Sequence, residues 1–184
     1  IVVKSSYFVP VFDLISPLTV AENNTLSFEV SADDIDKKDT LTYSMKTYPD
    51  GATFESTGGL FEWTPSYEQA GTYAVEFMVV DDSMYGLRNF TTAMITVNDI
   101  NRGPDIELVK EKYVLKEKES VIINVSVSDV DGDSLSLSTN ASFGTFRGNT
   151  FIWTPGYNDS DIYDVQFSVS DGDLSANTSA TIHV

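Results

Sequence analysis

The residues of this 184-residue chain that could do chemistry are mainly aspartates gathered in short turns. The turn at residues 34–39 contains three aspartates, and the turn at residues 129–133 contains another three. Hard cations such as calcium take six to eight oxygen ligands, which closely spaced carboxylates and backbone carbonyls supply. Aspartate and glycine are also common in hairpin turns for purely local reasons. The turns therefore leave two interpretations open, a calcium site or ordinary hairpins.

Other reactive side chains are scarce. The chain has no cysteine, and its single histidine is His183. This composition argues against thiol catalysis, disulfides, zinc sites and most nucleophilic triads. Paired carboxylates can hydrolyse glycosides, but that chemistry needs an opposed pair about 5–10 Å apart in a cleft. Acids confined to turns give no sign of a cleft, so we predict that the protein is not an enzyme.

The charge balance limits the partners. The formal net charge is −17, which repels nucleic-acid phosphates and anionic lipid. No window of 18 consecutive apolar residues is present, so we expect no direct membrane insertion. Hydrophobic residues make up 41% of the chain, which is ample for a folded core. We therefore expect a folded domain or domains with no nucleic-acid partner.

N-glycosylation sequons are unusually frequent. Ser and Thr account for 39 of 184 residues, so chance supplies about two sequons among ten asparagines. The excess predicts N-linked glycans and an extracellular or cell-surface location, although a Ser/Thr-rich β protein also produces such triplets by accident. The six candidate sites are Asn23, Asn89, Asn124, Asn140, Asn158 and Asn177.

An internal repeat organises the chain. The segment 61–67, which contains Trp63-Thr64-Pro65, reappears 90 residues later as segment 151–157 with Trp153-Thr154-Pro155. One tryptophan per repeat at the same position, followed by proline, indicates a buried core anchor rather than a carbohydrate-stacking surface. Tyrosines recur with the same offset, and we interpret them as framework residues of each copy: Tyr67 and Tyr157, and Tyr73 and Tyr163.

Apolar and polar residues alternate with a period of two in both copies, as in residues 26–32 and 123–128. This pattern is typical of strands with one face on a core and the other in water, and it places Asn124 on an outward face. About seven short strands in roughly 90 residues predict a β-sandwich for each copy. We predict domains at residues 10–100 and 101–184, preceded by a strand or linker at residues 1–9.

The motifs resemble a known family. The Asp34-Ile35-Asp36 turn, the segment 59–65, the segment 69–73 and the linker 97–104 resemble cadherin-like, dystroglycan-type Ig-like domains, and residues 129–133 and 153–155 continue the match. The resemblance implies an all-β chain of two tandem Ig-like (cadherin-like) β-sandwich domains. Such domains occur in tandem in large surface proteins, where they serve as spacers, adhesins and assembly subunits.

The resemblance also implies a set of calcium ligands. In cadherins an interdomain cluster uses a Glu near the first strand, a linker rich in Asp and Asn, and an Asp-x-Asp turn of the next domain. Carried over by position, the set comprises Glu22, Asp99, Asn101, Asp129 and Asp131. The chain departs from the pattern at Arg102, because an arginine competes for the same carboxylates. We therefore expect the pocket to be incomplete.

The N-terminal segment Ile1–Val9 lies outside the family match and is rich in β-branched and aromatic residues. Three interpretations remain open: the last strand of a preceding domain, an ordinary first strand, or a strand that adds to the open edge of a neighbouring subunit. In the third case, alternation selects the face that carries Val3, Tyr7 and Val9 as the inserted one.

Two functions follow from the sequence. The first is a non-enzymatic, glycosylated subunit of a cell-surface filament or surface layer, with other copies of itself as partners. The alternative is a two-domain segment of a large calcium-stiffened adhesin or receptor stalk, with adjacent domains as partners.

Overall fold

The computed structural model describes residues 8–184, and β-strands are the only regular elements within that range. No helix in this part of the chain is long and apolar enough to cross a membrane. The chain divides into two compact units with the boundary between Ile100 and Asn101, here called domain 1 and domain 2. Of the proposed assembly strand, Val3 and Tyr7 lie outside the described residues.

Domain 1 forms three sheets from nine strands in its described part. A four-stranded sheet has the order β2-β9-β8-β5, a three-stranded sheet the order β3-β7-β6, and β1 pairs with β4. The strands are β1 (Val11–Phe12), β2 (Leu18–Ala21), β3 (Leu26–Glu29), β4 (Ala32–Asp33), β5 (Thr42–Thr47), β6 (Thr53–Phe54), β7 (Leu60–Trp63), β8 (Gly71–Val80) and β9 (Arg88–Asn98).

Domain 2 forms two four-stranded sheets, with the orders β10-β12-β15-β14 and β11-β17-β16-β13. Its strands are β10 (Asp105–Leu108), β11 (Lys112–Val114), β12 (Val121–Ser128), β13 (Ser136–Thr139), β14 (Thr145–Arg147), β15 (Thr150–Trp153), β16 (Ile162–Ser170) and β17 (Ser175–His183). Each domain is thus a sandwich of mainly antiparallel sheets, and the predicted all-β fold of two sandwiches is confirmed.

Among the strands of residues 8–184, one pairing in each domain is parallel. In domain 1, β2 runs alongside the final strand β9, with Leu18 opposite Ile95 and Ala21 opposite Asn98. In domain 2, β11 runs alongside β17 over three residue pairs. All the other strand pairs described are antiparallel. An early strand is therefore bonded directly to the last strand of the same domain.

The two tryptophans anchor equivalent cores. Trp63 is 1% exposed and Trp153 is 8% exposed, so the core-anchor prediction is confirmed for both. Each indole meets a tyrosine edge-on at a centroid distance of 4.8 Å, Trp63 with Tyr73 and Trp153 with Tyr163. The framework prediction is wrong for Tyr157, which is 73% exposed at the surface, where the Lys118 ammonium group lies over its ring.

The strands position the acidic turns. In domain 1, Asp34 directly follows β4 and Asp81 directly follows β8; in domain 2, Asp129 follows β12 and Asp171 follows β16. The strands β12 and β16 belong to different sheets. The packing of two sheets therefore brings together carboxylates that are far apart in sequence.

Candidate metal centre

Three carboxylates of domain 2 converge. Asp129, Asp133 and Asp171 each offer an oxygen, and these oxygens all lie within 4.8 Å of one another. Among residues 8–184 this is the single group of three or more acidic or histidine side chains with that geometry. Like charges this close disfavour joint ionisation unless a cation or hydrogen-bond donors compensate them.

The two carboxylate oxygens of Asp129 have different environments. Its Oδ1 accepts hydrogen bonds from the backbone N–H groups of Asp131, at 2.8 Å, and Gly132, at 3.1 Å, which holds the turn. Its Oδ2 is buried and has no hydrogen-bond partner within the described residues. A buried, unsatisfied carboxylate oxygen is costly, so it is suited to bind a cation.

Asp171 is held by donors from two segments. Its Oδ1 accepts from the backbone N–H groups of Asp173, at 2.7 Å, and Leu174, at 2.6 Å. Its Oδ2 accepts from the Asn101 amide at 3.2 Å. The Leu174 bond is the largest of the effects that hold the pKa of Asp171 below its ordinary value. The Oδ1 of Asn101 is buried and has no hydrogen-bond partner among residues 8–184.

Arg102 donates hydrogen bonds to both carboxylate oxygens of Asp131. The Arg102 backbone N–H donates to Oδ2 at 2.7 Å, and the guanidinium Nε donates to Oδ1 at 2.8 Å; a second guanidinium nitrogen also contacts Oδ1. The guanidinium hydrogen bonds are the main reason that the pKa of Asp131 is lowered. With both oxygens engaged, Asp131 is a poorer ligand for a cation than Asp129.

Domain 1 repeats the central pair of carboxylates. Asp34 accepts from the Asp36 N–H at 2.8 Å through Oδ1, and Asp81 accepts from Leu87 N–H and Ser83 Oγ, both at 2.8 Å. The Oδ2 atoms of Asp34 and Asp81 are buried without partners among the described residues, and both side chains are 5% exposed. The turn with one unpaired oxygen is therefore common to Asp34 and Asp129, whereas Asp81 keeps an unpaired oxygen that its counterpart Asp171 does not have.

The third carboxylate distinguishes the domains. The 95-residue offset that aligns Asp34 with Asp129 aligns Lys38 with Asp133. Domain 1 therefore has a positively charged lysine where domain 2 has its third carboxylate. Its neighbour Asp39 has a raised pKa, mainly through burial and then through the charges of Asp36, Asp81, Asp82 and Asp34. Domain 1 therefore concentrates negative charge at this end without the three-oxygen cluster of domain 2.

The five predicted ligands divide between the domains. Glu22 is 1% exposed in domain 1, where its Oε2 accepts from the Ile100 N–H at 3.1 Å and its Oε1 is buried with no partner in the described part of the chain. Asp99 is exposed in the same domain. Domain 2 contains Asn101, Asp129 and Asp131, arranged as described above.

Sequence reasoning missed Asp133 and Asp171 as candidate ligands. A signal for Asp171 was present, because Asp81 and Asp171 recur at the 90-residue offset of the repeat. Asp133 lies in the same turn as Asp129, at the position where the other repeat has lysine. Comparing the two repeats position by position would have found Asp171, whereas Asp133 has no acidic counterpart in the first repeat.

The sequon asparagines differ in access. The prediction that Asn124 faces outward is confirmed, and Asn23, Asn140, Asn158 and Asn177 are exposed as well. Asn89 is half-buried, and its Nδ2, the atom that a glycan would modify, donates a hydrogen bond to the Pro10 carbonyl at 2.9 Å. Asn89 is therefore the sequon least suited to modification.

Two family models match the sequence, one for each domain. Residues 9–98 match a model described as "Putative Ig domain", and residues 101–184 match a model described as "Bacterial Ig domain". A search of the curated proteins finds no match.

Solved structures of cadherin extracellular domains are similar in fold. Domains 1–4 of protocadherin gamma B7 match 96% of the chain with 18% identity and a TM-score of 0.57, and domains 1–4 of Drosophila N-cadherin match 96% with 15% identity and a TM-score of 0.62. The chain spans 49% of each of these structures. Domains 1–2 of human protocadherin-24 match 97% of the chain over 98% of their own length, with 17% identity and a TM-score of 0.54.

Proposed function

We propose, from the premise that this chain is a tandem of two Ig-like, cadherin-like domains, that it serves as a calcium-binding stalk segment of an extracellular adhesion protein. Domains of this kind typically have structural or adhesive roles rather than catalytic ones. The observation that supports calcium binding best is the convergence of Asp129, Asp133 and Asp171 within 4.8 Å in domain 2.

The ligand chemistry suits a hard cation. The three aspartates and the unpaired Oδ1 of Asn101 are oxygen donors, the type that calcium prefers, and no sulfur or imidazole is among them. These residues supply four of the six to eight oxygens that calcium takes, so backbone carbonyls or water would complete the shell. Bound calcium would neutralise the clustered charge and tie the turn after β12 to the turn after β16.

The role of this site would be mechanical. The turn after β12 and the turn after β16 follow strands of different sheets; Arg102 binds the first turn and Asn101 the second, in addition to each turn's own hydrogen bonds. A shared cation would couple the two turns. The result would be a stiffer domain 2 in calcium-rich extracellular fluid.

Calorimetric titration of the metal-free chain with calcium chloride tests this function. We expect heat of binding and a higher melting temperature for domain 2, because a ligand at a hundredfold excess over its Kd stabilises the folded state by about 2.7 kcal/mol. Asp129→Asn and Asp171→Asn should abolish the effect. Glu107→Gln, an exposed charge on β10 of the same domain, is the matched control and should retain it.

Equal melting temperatures in calcium and in EDTA, together with no heat of binding, would remove the proposed site. Binding that survives in Asp129→Asn and Asp171→Asn would place calcium elsewhere on the chain.

A second candidate function is a glycosylated subunit of a cell-surface filament or surface layer. Phe8 and Val9, which lead into β1, have apolar side chains that are 39% and 47% exposed. Val9 belongs to the face that we propose inserts into a neighbouring subunit together with Val3 and Tyr7. The exposed sequon asparagines would carry glycans on this subunit.

Removal of residues 1–9 tests the second candidate. The truncated chain should remain folded and monomeric while the intact chain polymerises, as electron microscopy and light scattering would show. A truncated chain that assembles normally would contradict strand insertion. The mass of the secreted protein before and after glycosidase treatment would report the glycans.

A further inference from the structure

Two consecutive residues at the start of domain 2 bind the two turns that carry its clustered carboxylates. The Asn101 amide donates to Asp171 Oδ2 at 3.2 Å, in the turn after β16. Arg102 donates to Asp131, in the turn after β12, through its backbone N–H at 2.7 Å and through Nε at 2.8 Å. These two residues therefore join the two turns without any metal ion.

The ion pair of Arg102 and Asp131 is partly buried. The Arg102 side chain is 26% exposed and that of Asp131 is 15% exposed. Nε and a second guanidinium nitrogen both contact Oδ1, so the positive charge has a fixed position. Salt screens partly buried pairs much less than exposed ones. The guanidinium therefore remains beside Asp131 at physiological ionic strength.

The guanidinium charge lies close to the carboxylates that would bind calcium. The Asp131 N–H donates to Asp129 Oδ1 at 2.8 Å, so these two aspartates belong to one turn. The hydrogen bonds from Arg102 lower the pKa of Asp131 most, and the charge of Asp171 acts against them by raising it. Both turns are therefore within electrostatic reach of Asp131, and an arginine keeps its charge at any physiological pH.

Domain 1 forms the same kind of turn with no arginine at this position. Val11 of β1 and Asp105 of β10 occupy equivalent register positions, the first against β4 and the second against β12. Three residues before these positions lie Phe8 in domain 1 and Arg102 in domain 2. Phe8 has neither a charge nor a side-chain donor. The aspartate turn can therefore fold without the arginine, which indicates that Arg102 has a role specific to domain 2.

We propose that Arg102 regulates the calcium site of domain 2 as an internal cation, which stabilises the carboxylates when calcium is absent and lowers their affinity for calcium. The second effect rests on the proposed function, whereas the first does not. Both effects have one electrostatic cause. A guanidinium neutralises part of the clustered negative charge, repels a divalent cation and occupies oxygens of Asp131 that could otherwise bind it.

The consequence is a change in when the site fills and in what filling it does. With Arg102 present, calcium should bind at a higher concentration, and the turns should already be held before it binds. Without Arg102, the turns should depend on calcium, and calcium should bind more tightly. Arg102 thus exchanges calcium affinity for stability in the calcium-free state.

Arg102→Gln separates the two effects, because glutamine removes the charge and leaves the backbone bond to Asp131 possible. We expect a lower melting temperature of domain 2 in EDTA and faster hydrogen exchange at the amides of residues 131 and 132. Calorimetric titration with calcium chloride should show at least tenfold tighter binding. Arg147→Gln, at an exposed site on β14, is the matched control and should leave both measurements unchanged.

The opposite signs of the two effects distinguish regulation from a purely structural role. Loss of a merely structural contact would lower the stability in EDTA and weaken calcium binding together. Arg102→Lys tests the charge separately, because lysine keeps the positive charge without the planar guanidinium. This variant should bind calcium about as weakly as the parent and recover only part of its stability in EDTA. Circular dichroism would show that each variant is folded.

The outcomes distinguish this inference from the proposed function. Calcium binding by the parent with the same or weaker binding by Arg102→Gln overturns the regulatory role and leaves the proposed function intact. Binding by Arg102→Gln but not by the parent supports the inference and contradicts the proposed function. No binding by either protein contradicts both. Equal melting temperatures of the two proteins in EDTA would overturn the stabilising role, whatever the calcium result.

Discussion

Domains 1 and 2 hold the same pair of aspartates in the same turns and differ in what surrounds them. Asp34 and Asp81 in one domain, like Asp129 in the other, use one oxygen to hold the backbone, and the second oxygen is buried with no partner among the residues that the structure describes. Domain 2 adds a third carboxylate at Asp133. The turn geometry is therefore a property of the shared fold, whereas the three-oxygen cluster is a property of one repeat.

The surrounding charges differ as well. Asp131 in domain 2 has a lowered pKa because the Arg102 guanidinium binds it, while Asp39 in domain 1 has a raised pKa through burial and neighbouring aspartates. A repeated framework can thus carry two electrostatic settings. The tryptophan cores are shared by the two domains, whereas the residue at position 38 or 133 differs between them, and substitutions can test each.

Removal of the tryptophans tests the shared part and should have the largest effect. Trp63→Ala and Trp153→Ala should each destabilise their own domain by about 3–5 kcal/mol, because each empties a core site. Trp63→Ala should cost more, since Trp63 Nε1 also donates to the Asp50 carbonyl at 3.1 Å. Urea denaturation followed by domain-resolved hydrogen exchange would measure both. A loss below about 1 kcal/mol in either domain would contradict equivalent cores.

Exchange of residues 38 and 133 tests the divergent part. Asp133→Lys should weaken calcium binding by domain 2 at least tenfold, about 1.4 kcal/mol, because it replaces a ligand by a like-charged competitor of the cation. Lys38→Asp should strengthen calcium binding by domain 1. Lys46→Asp, at an exposed site on β5, controls for the charge change alone. If calorimetry shows the same calcium affinity in all variants, residues 38 and 133 do not distinguish calcium binding by the two domains.

Asp39 and Asp131 should contribute to the pH dependence of stability in opposite directions in calcium-free buffer. The pKa of Asp39 is raised in the folded state, so its unfavourable contribution to the stability of domain 1 is relieved as the pH falls through that pKa. The pKa of Asp131 is lowered, so the stability it contributes to domain 2 is present above about pH 4 and is lost as the pH falls through the lowered value. Thermal melts at stepped pH would show the divergence. Asp39→Asn should flatten the dependence of melting temperature on pH for domain 1, and Asp131→Asn should flatten it for domain 2. If neither substitution changes the pH dependence of its domain, the roles given to Asp39 and Asp131 are wrong.

The smallest expected difference concerns a turn with left-handed backbone. Asn23 has φ of +56° and Lys118, its counterpart at the 95-residue offset, has φ of +67°. Asparagine tolerates this conformation better than other residues with a side chain. Asn23→Ala should therefore cost about 1 kcal/mol, and Lys118→Ala less than about 0.5 kcal/mol. Melting temperatures would test this order, with Asn23→Gly as a control close to the parent.

The fold was more predictable than the site. Alternation with a period of two and a 90-residue repeat are local signals, so strands, two sandwiches and buried tryptophans followed from them. The site depends on which strand ends meet, and Asp129 and Asp171 come from strands in different sheets. Burial of one carboxylate oxygen rather than the other is likewise a tertiary property. Tyr157 shows the limit of the repeat itself, because an equivalent position need not have an equivalent environment.

The parallel pairing of early and final strands bears on how each domain resists tension. In domain 1 a pull that acts at the start of β2 and at the end of β9 draws the two strands in opposite directions along their common axis, because the strands run parallel. The hydrogen bonds between them are then loaded together in shear, instead of opening one after another as in a zipper. Domain 2 has the same arrangement over three residue pairs, against four in domain 1. A chain of such domains would hold under force until a whole row of bonds failed at once, and domain 2 would yield first.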